Sequence, residues 1–96
     1  MDMYKDPTTV KGWIREITEL VEATRPSMKL GQAEQVMKCL RAGEWTLALE
    51  FLMDYIIDDE IIISSATYAR IEALTQVLHP REGLSDVKEM VLDMEG

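Results

Sequence analysis

The sequence contains a single cysteine, Cys39, and a single histidine, His79. A cysteine beside a histidine would supply a thiolate nucleophile and its base. Cys39, however, lies in the middle of a predicted helix, where a buried packing cysteine is the usual finding. His79 precedes Pro80 at the end of another predicted helix, where it can interact with the last carbonyl groups. We therefore expect no catalytic residue, and we expect that the protein is not an enzyme.

Patterns that bind metals or phosphates are missing from the sequence. It has no HExxH, no CxxC, no calcium-loop spacing and no glycine-rich phosphate loop. The carboxylates of Asp58, Asp59 and Glu60 are too close along the chain to enclose an ion by themselves. We expect no metal and no cofactor. Because there is one cysteine, the chain cannot form an internal disulfide, which fits a reducing compartment.

A row of carboxylates lies along one face of the central predicted helix and continues past its end. Glu50, Asp54 and Asp58 are four residues apart and share one helix face, and Asp59 and Glu60 come directly after them. Like charges at this spacing destabilise a helix by about 0.2–0.5 kcal/mol a pair, and negative charge at a helix C-terminus opposes the helix dipole. Such local conflicts are expected at functional sites. The alternative is a solvated acidic face that has no role.

The net charge of −8 limits the partners that the protein can bind. An acidic surface repels the phosphates of nucleic acids and the headgroups of anionic membranes. Its natural complement is a cationic partner, because opposite fields speed encounter. The first seven residues contain no apolar run, and no segment is long enough to span a bilayer. We expect a cytoplasmic protein that binds neither nucleic acid nor membranes.

Three prolines, at positions 7, 26 and 80, separate the stretches that have helical periodicity. A first helix is predicted over about Thr9–Thr24, with Thr8 or Thr9 as its N-cap. Its predicted buried stripe consists of Val10, Trp13, Ile14, Ile17, Leu20 and Val21. Its predicted solvent-facing residues are Lys11, Arg15, Glu16, Glu19 and Glu22.

A second helix is predicted over about Met28–Arg41, with Ser27 as its N-cap. Its predicted inward residues are Leu30, Ala33, Val36, Met37 and Leu40. Gly43 stands where the left-handed glycine after a helix belongs, so residues 42–44 predict a tight link to the next helix. The second and third helices should therefore form an αα-hairpin.

The chain is organised around the stretch Gly43–Ser64, which predicts the central helix and a short extended exit from it. The helically spaced apolar residues of this helix are Trp45, Ala48, Leu49, Leu52 and Ile56. Phe51 and Tyr55 widen this apolar face beyond what a surface helix needs. We therefore expect neighbours to pack on more than one side of the central helix.

The three consecutive isoleucines at positions 61–63 predict an extended connector. At least one of them should face outward, because side chains alternate along an extended chain. No second strand-like segment is evident, so we expect no sheet. A fourth helix is predicted over about Ala66–Leu78 with Ser64 or Ser65 as its cap, and a weak fifth helix over about Ser85–Met94.

These elements predict an all-α fold, a compact bundle of four to five short helices with the αα-hairpin at its centre. The 96 residues form one domain, in which residues 1–7 and 95–96 should be flexible. The broad apolar faces allow either a monomer or a homodimer. The chain is rich in methionine, which indicates either gap-filling in a small core or an adaptable binding surface. The methionines in question are Met28, Met37, Met53, Met90 and Met94.

The centre of the sequence resembles a known family of bacterial proteins. The run Leu40-Arg-Ala-Gly43-Glu44-Trp45-Thr-Leu-Ala48-Leu49-Glu50-Phe-Leu52 is similar to the second-to-third helix junction of the MafI-type immunity proteins. Features that follow in that family are an acidic stretch with isoleucines, a serine, a tyrosine and a final helix. They correspond here to Asp58–Glu60, Ile61–Ile63, Ser64 or Ser65, and Tyr68 with Ile71 and Leu74. The resemblance covers about residues 40–78.

The resemblance implies a small acidic helical partner of a polymorphic toxin, of the kind that includes contact-dependent growth inhibition systems. Such a protein binds and neutralises its cognate toxin domain, often a nuclease and here above all an RNase, in the producing cell. A nuclease holds a polyanion in a basic cleft, which carboxylates on a rigid helix can occlude. The residues that we expect to bind the partner are Glu50, Asp54, Tyr55, Asp58, Asp59, Glu60 and Tyr68. The alternative is a small acidic adaptor or binding module with no toxin partner.

Overall fold

The fold is all-α, as predicted. A computed structural model describes residues 9–81 and 83–92 of the chain. In these ranges the chain forms five α-helices, together with a single 3-10 turn at Arg25–Ser27. The helices are α1 at Val10–Thr24, α2 at Gln32–Arg41, α3 at Trp45–Asp58, α4 at Ser65–Leu78 and α5 at Leu84–Lys88. The Cα radius of gyration of 12.5 Å is that of a compact domain of about 100 residues.

Helix α1 begins where the sequence predicts, because the Thr9 side chain accepts a hydrogen bond from the Gly12 N–H. Its buried side is narrower than predicted. Val10 and Ile14 are 40 % and 38 % exposed, since both lie at the margin of the stripe that faces the core. The expectation that Glu16 faces solvent is wrong, because Glu16 is only 5 % exposed and is held by a cation on α4.

Helix α2 begins four residues later than predicted. Gly31 precedes it in a left-handed conformation, with φ of +91°, and Ser27 belongs to the preceding 3-10 turn instead of capping the helix. A second turn, residues 28–31, lies between this 3-10 turn and α2, and there the Lys29 N–H donates to Oε1 of Gln32 over 2.8 Å. Leu30 lies at the tip of this turn and is fully exposed, so the prediction that it faces inward is wrong.

The link between α2 and α3 confirms the predicted αα-hairpin. Gly43 has a φ of +78°, and its N–H donates to the Leu40 carbonyl while the Glu44 N–H donates to the Cys39 carbonyl. This is the Schellman arrangement, which satisfies two carbonyl groups at the end of a helix. Helix α3 contacts all four other helices. Its fully or almost fully buried residues are Ala48, Leu49, Leu52, Met53 and Ile56.

The connector after α3 is extended, and its isoleucines alternate as expected. Ile61 and Ile63 are 4 % and 5 % exposed, whereas Ile62 is 59 % exposed. The expectation that nothing pairs with this segment is wrong, because Ile63 forms a parallel bridge with Val91. The bridge is isolated, so the described residues form no extended sheet.

Helices α4 and α5 contact each other and α3, and α4 also contacts α1. Ser64 caps α4 as predicted, since its hydroxyl accepts from the Thr67 N–H over 3.0 Å. Helix α5 is shorter than predicted, and Gly83 precedes it with a φ of +116°, so Ser85 is not its cap. Among the five methionines singled out, Met53 lies in the core. Met28, Met37 and Met90 pack against the core, and Met94 lies outside the described residues.

Candidate partner-binding surface

The five carboxylates predicted on and after α3 divide into two groups. Asp54, Asp58 and Glu60 are exposed, and none of them forms an ion pair with another described residue. Glu50 and Asp59 have side chains that are only 16 % and 13 % exposed, and each is bound within the protein. The exposed group is therefore the part of the row that remains available to a partner, and we call Asp54, Asp58 and Glu60 the acidic ridge.

Glu50 lies at the start of the row and is bound by a residue that follows α4. The Arg81 N–H donates to Oε2 of Glu50 over 3.0 Å, and the Arg81 Nε lies 3.8 Å from the same oxygen. Thirty-one positions separate the two residues. Sequence reasoning missed this cation, because nothing local indicates that the turn after α4 folds back on α3.

Asp59 holds the turn before α2 against the end of α3. Its Oδ2 accepts from Nε2 of Gln32 over 2.8 Å, and its Oδ1 lies 3.1 Å from Nζ of Lys29. The hydrogen bond from Gln32, followed by that from Lys29, lowers the pKa of Asp59 below its usual value. Asp59 therefore has a structural role, and its part in partner binding stays a prediction.

Asp54 lies between the two other carboxylates on its face of α3. Partial burial is the main cause that raises the pKa of Asp54. The negative charges of Asp58 and Glu50 raise this pKa further, and Arg81 opposes them. A raised pKa means that the ionised form of Asp54 is disfavoured where it stands. A cation brought to this face by a partner would relieve that cost.

The two candidate tyrosines are half-buried. The Tyr55 ring stacks on Phe51 with a centroid distance of 5.9 Å, and burial raises the pKa of both tyrosines. Tyr68 belongs to α4, and in the described part of the chain no hydrogen bond or ring contact joins it to α3. The structure thus groups Tyr55 with the carboxylates of α3 and leaves Tyr68 on another helix.

Two exposed apolar residues near the acidic ridge were not among the predicted site residues. Ile62 follows Glu60 by two positions, and Leu30 lies beside Lys29, which contacts Asp59. Glu60 itself has a φ of +52°, which is unusual for a residue with a Cβ atom. The alternation of the isoleucines predicted that at least one of them faces outward, without specifying Ile62, whereas no sequence signal distinguishes Leu30 from the inward residues of α2.

The two residues considered for catalysis are Cys39, which is buried in α2, and His79, which lies at the end of α4. Cys39 is 6 % exposed, and its sulfur lies 3.9 Å from Nε2 of Gln35. His79 ends α4 with a φ of +51°, and its N–H donates to the Thr75 carbonyl. Within residues 9–81 and 83–92, no three His, Cys, Asp or Glu side chains are grouped so that they could hold a metal ion.

The fold and this surface define a small all-α protein that exposes unpaired carboxylates at the end of its central helix. No helix among the described residues has both the length and the apolar character needed to cross a membrane. Comparison of the chain with protein-family models, with curated proteins and with solved structures found no match in any of the three.

Proposed function

We propose that the protein is an immunity protein that binds and neutralises a cognate toxin domain. The toxin is a nuclease, above all an RNase, and the acidic ridge occludes its basic cleft. The observation that carries this proposal is the exposure of Asp54, Asp58 and Glu60, none of which forms an ion pair with another described residue. The resemblance of residues 40–78 to the MafI-type immunity proteins supports the same function.

The position of the ridge favours binding to a cationic surface. Three carboxylates lie at or beyond the C-terminal half of α3, where the helix dipole adds further negative potential. The helix is fixed by packing on several sides, so the carboxylates need little ordering when a partner binds. A nuclease cleft presents lysine and arginine side chains for phosphates, and carboxylates can pair with the same side chains.

The first test is identification of the partner. The tagged full-length chain is used to purify bound proteins from its source organism, and each stoichiometric partner is identified by mass. The proposal expects a basic protein whose expression alone kills cells and whose toxicity is suppressed by co-expression of this chain. A stoichiometric partner that is not toxic would refute the immunity function and favour an adaptor.

The second test locates the surface with matched charge reversals. We expect Asp54→Lys combined with Asp58→Lys to weaken binding of the purified toxin at least 100-fold, because two attractive charges become repulsive. The control is Glu44→Lys combined with Glu72→Lys, which changes the net charge equally at exposed positions that are not part of the acidic ridge. Glu19 and Glu22 are unsuitable controls, since they bind arginines. Equal losses in both variants would place the binding site elsewhere.

A further inference from the structure

The extended segment after α3 has one paired edge and one open edge. The Ile63 N–H donates to the Met90 carbonyl over 3.0 Å, and the Ile63 carbonyl accepts from the Leu92 N–H over 2.8 Å. In a parallel pairing, the backbone groups of the neighbouring residues point the opposite way. The N–H and C=O of Ile62 and the N–H of Ser64 thus face away from residues 90–92, and no other described residue binds them. We call these three groups the open edge.

Exposed apolar side chains accompany the open edge. Because side chains alternate on extended chains, Ile62 and Leu92 project to the face opposite that of Ile63 and Val91. Ile62 and Leu92 are 59 % and 55 % exposed. Unpaired backbone groups beside exposed apolar side chains are the features to which an incoming strand adds.

The charges that flank the open edge indicate what the incoming strand contains. Asp58 and Glu60 are exposed and precede Ile62 by four and two positions. A second copy of this chain is a poor occupant, because symmetric pairing would bring the same carboxylates together between molecules that each carry a charge of −8. An extended segment that alternates basic and apolar residues matches both the apolar side chains and the carboxylates.

The geometry points to the open edge of Ile62 and Ser64 as the docking site for an extended, basic and apolar segment of a partner protein, which pairs with it as an added strand. The inference rests on the proposed function in one respect, the cationic nature of the partner. Backbone hydrogen bonds between the added strand and the open edge would fix the register of the partner beside the acidic ridge. Specificity would then come from the side chains that alternate along the added strand.

The probe that tests this inference is a blocked hexapeptide of alternating lysine and valine, titrated to millimolar concentration into the 15N-labelled full chain. We expect the amide signals of Ile62 and Ser64 to shift and their hydrogen exchange to slow at least fivefold, because their N–H groups become hydrogen-bonded. A peptide of three lysines followed by three valines has the same composition and charge without the alternation. We expect it to leave exchange at both amides unchanged.

A matched pair of protein variants tests the side-chain contribution. Ile62→Ser should weaken binding of the alternating peptide at least fivefold, whereas Leu47→Ser should not, since Leu47 is exposed on α3 away from the open edge. The inference is overturned if the alternating peptide leaves the Ile62 and Ser64 amides unprotected, or if both peptides protect them equally. It is also overturned if the free chain sediments as a dimer that already protects them.

These outcomes are separable from those of the proposed function. A toxin that binds Ile62→Ser as tightly as the unchanged protein, but loses affinity for the ridge reversal, would refute the open edge as a docking site and leave the immunity function standing. Protection of Ile62 and Ser64 by the alternating peptide, together with a stoichiometric partner that is not toxic, would refute the immunity function and leave the docking site standing.

Discussion

Arg70 on α4 binds Glu16 on α1 through two parallel hydrogen bonds. The Arg70 Nε donates to Oε1 of Glu16 over 2.9 Å, and Nη2 donates to Oε2 over 3.1 Å. Nη2 also donates to Glu19, one turn further along α1. Glu16 is 5 % exposed, so its carboxylate is largely removed from water, whereas the Arg70 side chain is 34 % exposed. These contacts tie α1 to α4 and raise the pKa of the Arg70 guanidinium.

Loss of this cation should destabilise the protein. Arg70→Met retains much of the side-chain volume but leaves the buried Glu16 carboxylate without its partner, so we expect the free energy of unfolding to fall by about 2–3 kcal/mol. The double variant Arg70→Met with Glu16→Leu should recover a large part of this loss. Both values are measured by urea denaturation at pH 7.

The control for Arg70→Met is Arg25→Met. Arg25 also contacts two carboxylates, Glu22 and Glu34, but these ion pairs lie on the surface. Exposed pairs contribute little because water screens them. If Arg25→Met lowered the unfolding free energy as much as Arg70→Met, burial of Glu16 would not be the cause of the loss.

Glu60 has a backbone conformation that favours glycine, so replacement of Glu60 by glycine should stabilise the fold. Its φ is +52°, its N–H donates to the Ile57 carbonyl, and the Ile61 N–H donates to the Ile56 carbonyl. Glu60→Gly relieves the left-handed strain, so we expect a gain of about 0.5–1 kcal/mol in unfolding free energy. Thermal melting measures the gain, and Glu60→Gln separates the charge from the strain, since it should give no comparable increase.

The Glu60→Gly variant also tests whether Glu60 contributes to partner binding. If Glu60 contributes to partner binding, Glu60→Gly should melt at a higher temperature and yet bind the toxin more weakly, a trade-off expected where strain is maintained by function. Calorimetric titration of the toxin measures the affinity. A variant that is both more stable and equally tight would show that Glu60 is not part of the contact surface.

Asp59 should make stability depend on pH in a defined direction. Its pKa is lowered in the folded protein, chiefly by Gln32, from an unfolded value of about 3.9. Its contribution is therefore complete above about pH 4 and is lost as pH falls through the folded pKa. Asp59→Asn should be less stable than the unchanged protein at pH 7, and the difference should shrink below pH 4. Urea denaturation at pH 3, 5 and 7 measures it.

The control for Asp59→Asn lies in the turn that Asp59 holds. Leu30 is fully exposed at the tip of this turn, so Leu30→Ala should follow the unchanged protein at all three pH values. A difference between Asp59→Asn and the unchanged protein that grew below pH 4 would contradict the assigned sign of the pKa shift.

Thr46 connects the start of α3 to the end of α4. Its hydroxyl donates to the Leu78 carbonyl over 3.1 Å, which satisfies a group that the helix itself leaves unpaired. Thr46→Val retains the shape but removes this donor, so we expect a loss of about 1 kcal/mol in unfolding free energy. The control is Thr75→Val, since among the described residues the Thr75 hydroxyl donates within its own helix, to the Glu72 carbonyl. Equal losses would mean that the link between helices is not responsible.

Local chemistry in the sequence accounts for most helix ends. Thr9 and Ser64 accept hydrogen bonds from the first turns of α1 and α4. Gly43 closes the hairpin in a left-handed conformation, which glycine adopts without the strain that a Cβ atom causes. The beginning of α2 was misplaced, because Gly31 takes the role assigned to Ser27. The helical spacing of Leu30 with later apolar residues could not reveal that its backbone leaves the helix.

Contacts between distant segments account for what could not be predicted. Glu16 has the sequence context of a solvent-facing residue, and only the approach of α4 brings Arg70 to it. Arg81 likewise reaches Glu50 only once the turn after α4 is in place, and Val91 reaches Ile63 only when α5 has docked. The acidic ridge was predictable as a charge pattern, but its reduction to Asp54, Asp58 and Glu60 depends on these distant partners.

The 54-residue separation of Arg70 and Glu16 also has a kinetic consequence. The hairpin of α2 and α3 forms from neighbours in sequence, whereas the contact of α1 with α4 closes a long loop, which is unfavourable until the rest is ordered. We expect this contact to form after the folding transition state. Arg70→Met should then accelerate unfolding many-fold in stopped-flow experiments and leave the refolding rate almost unchanged. We therefore expect the ion pair between α1 and α4 to determine the lifetime of the folded protein, and the hairpin of α2 and α3 to determine the rate at which it forms.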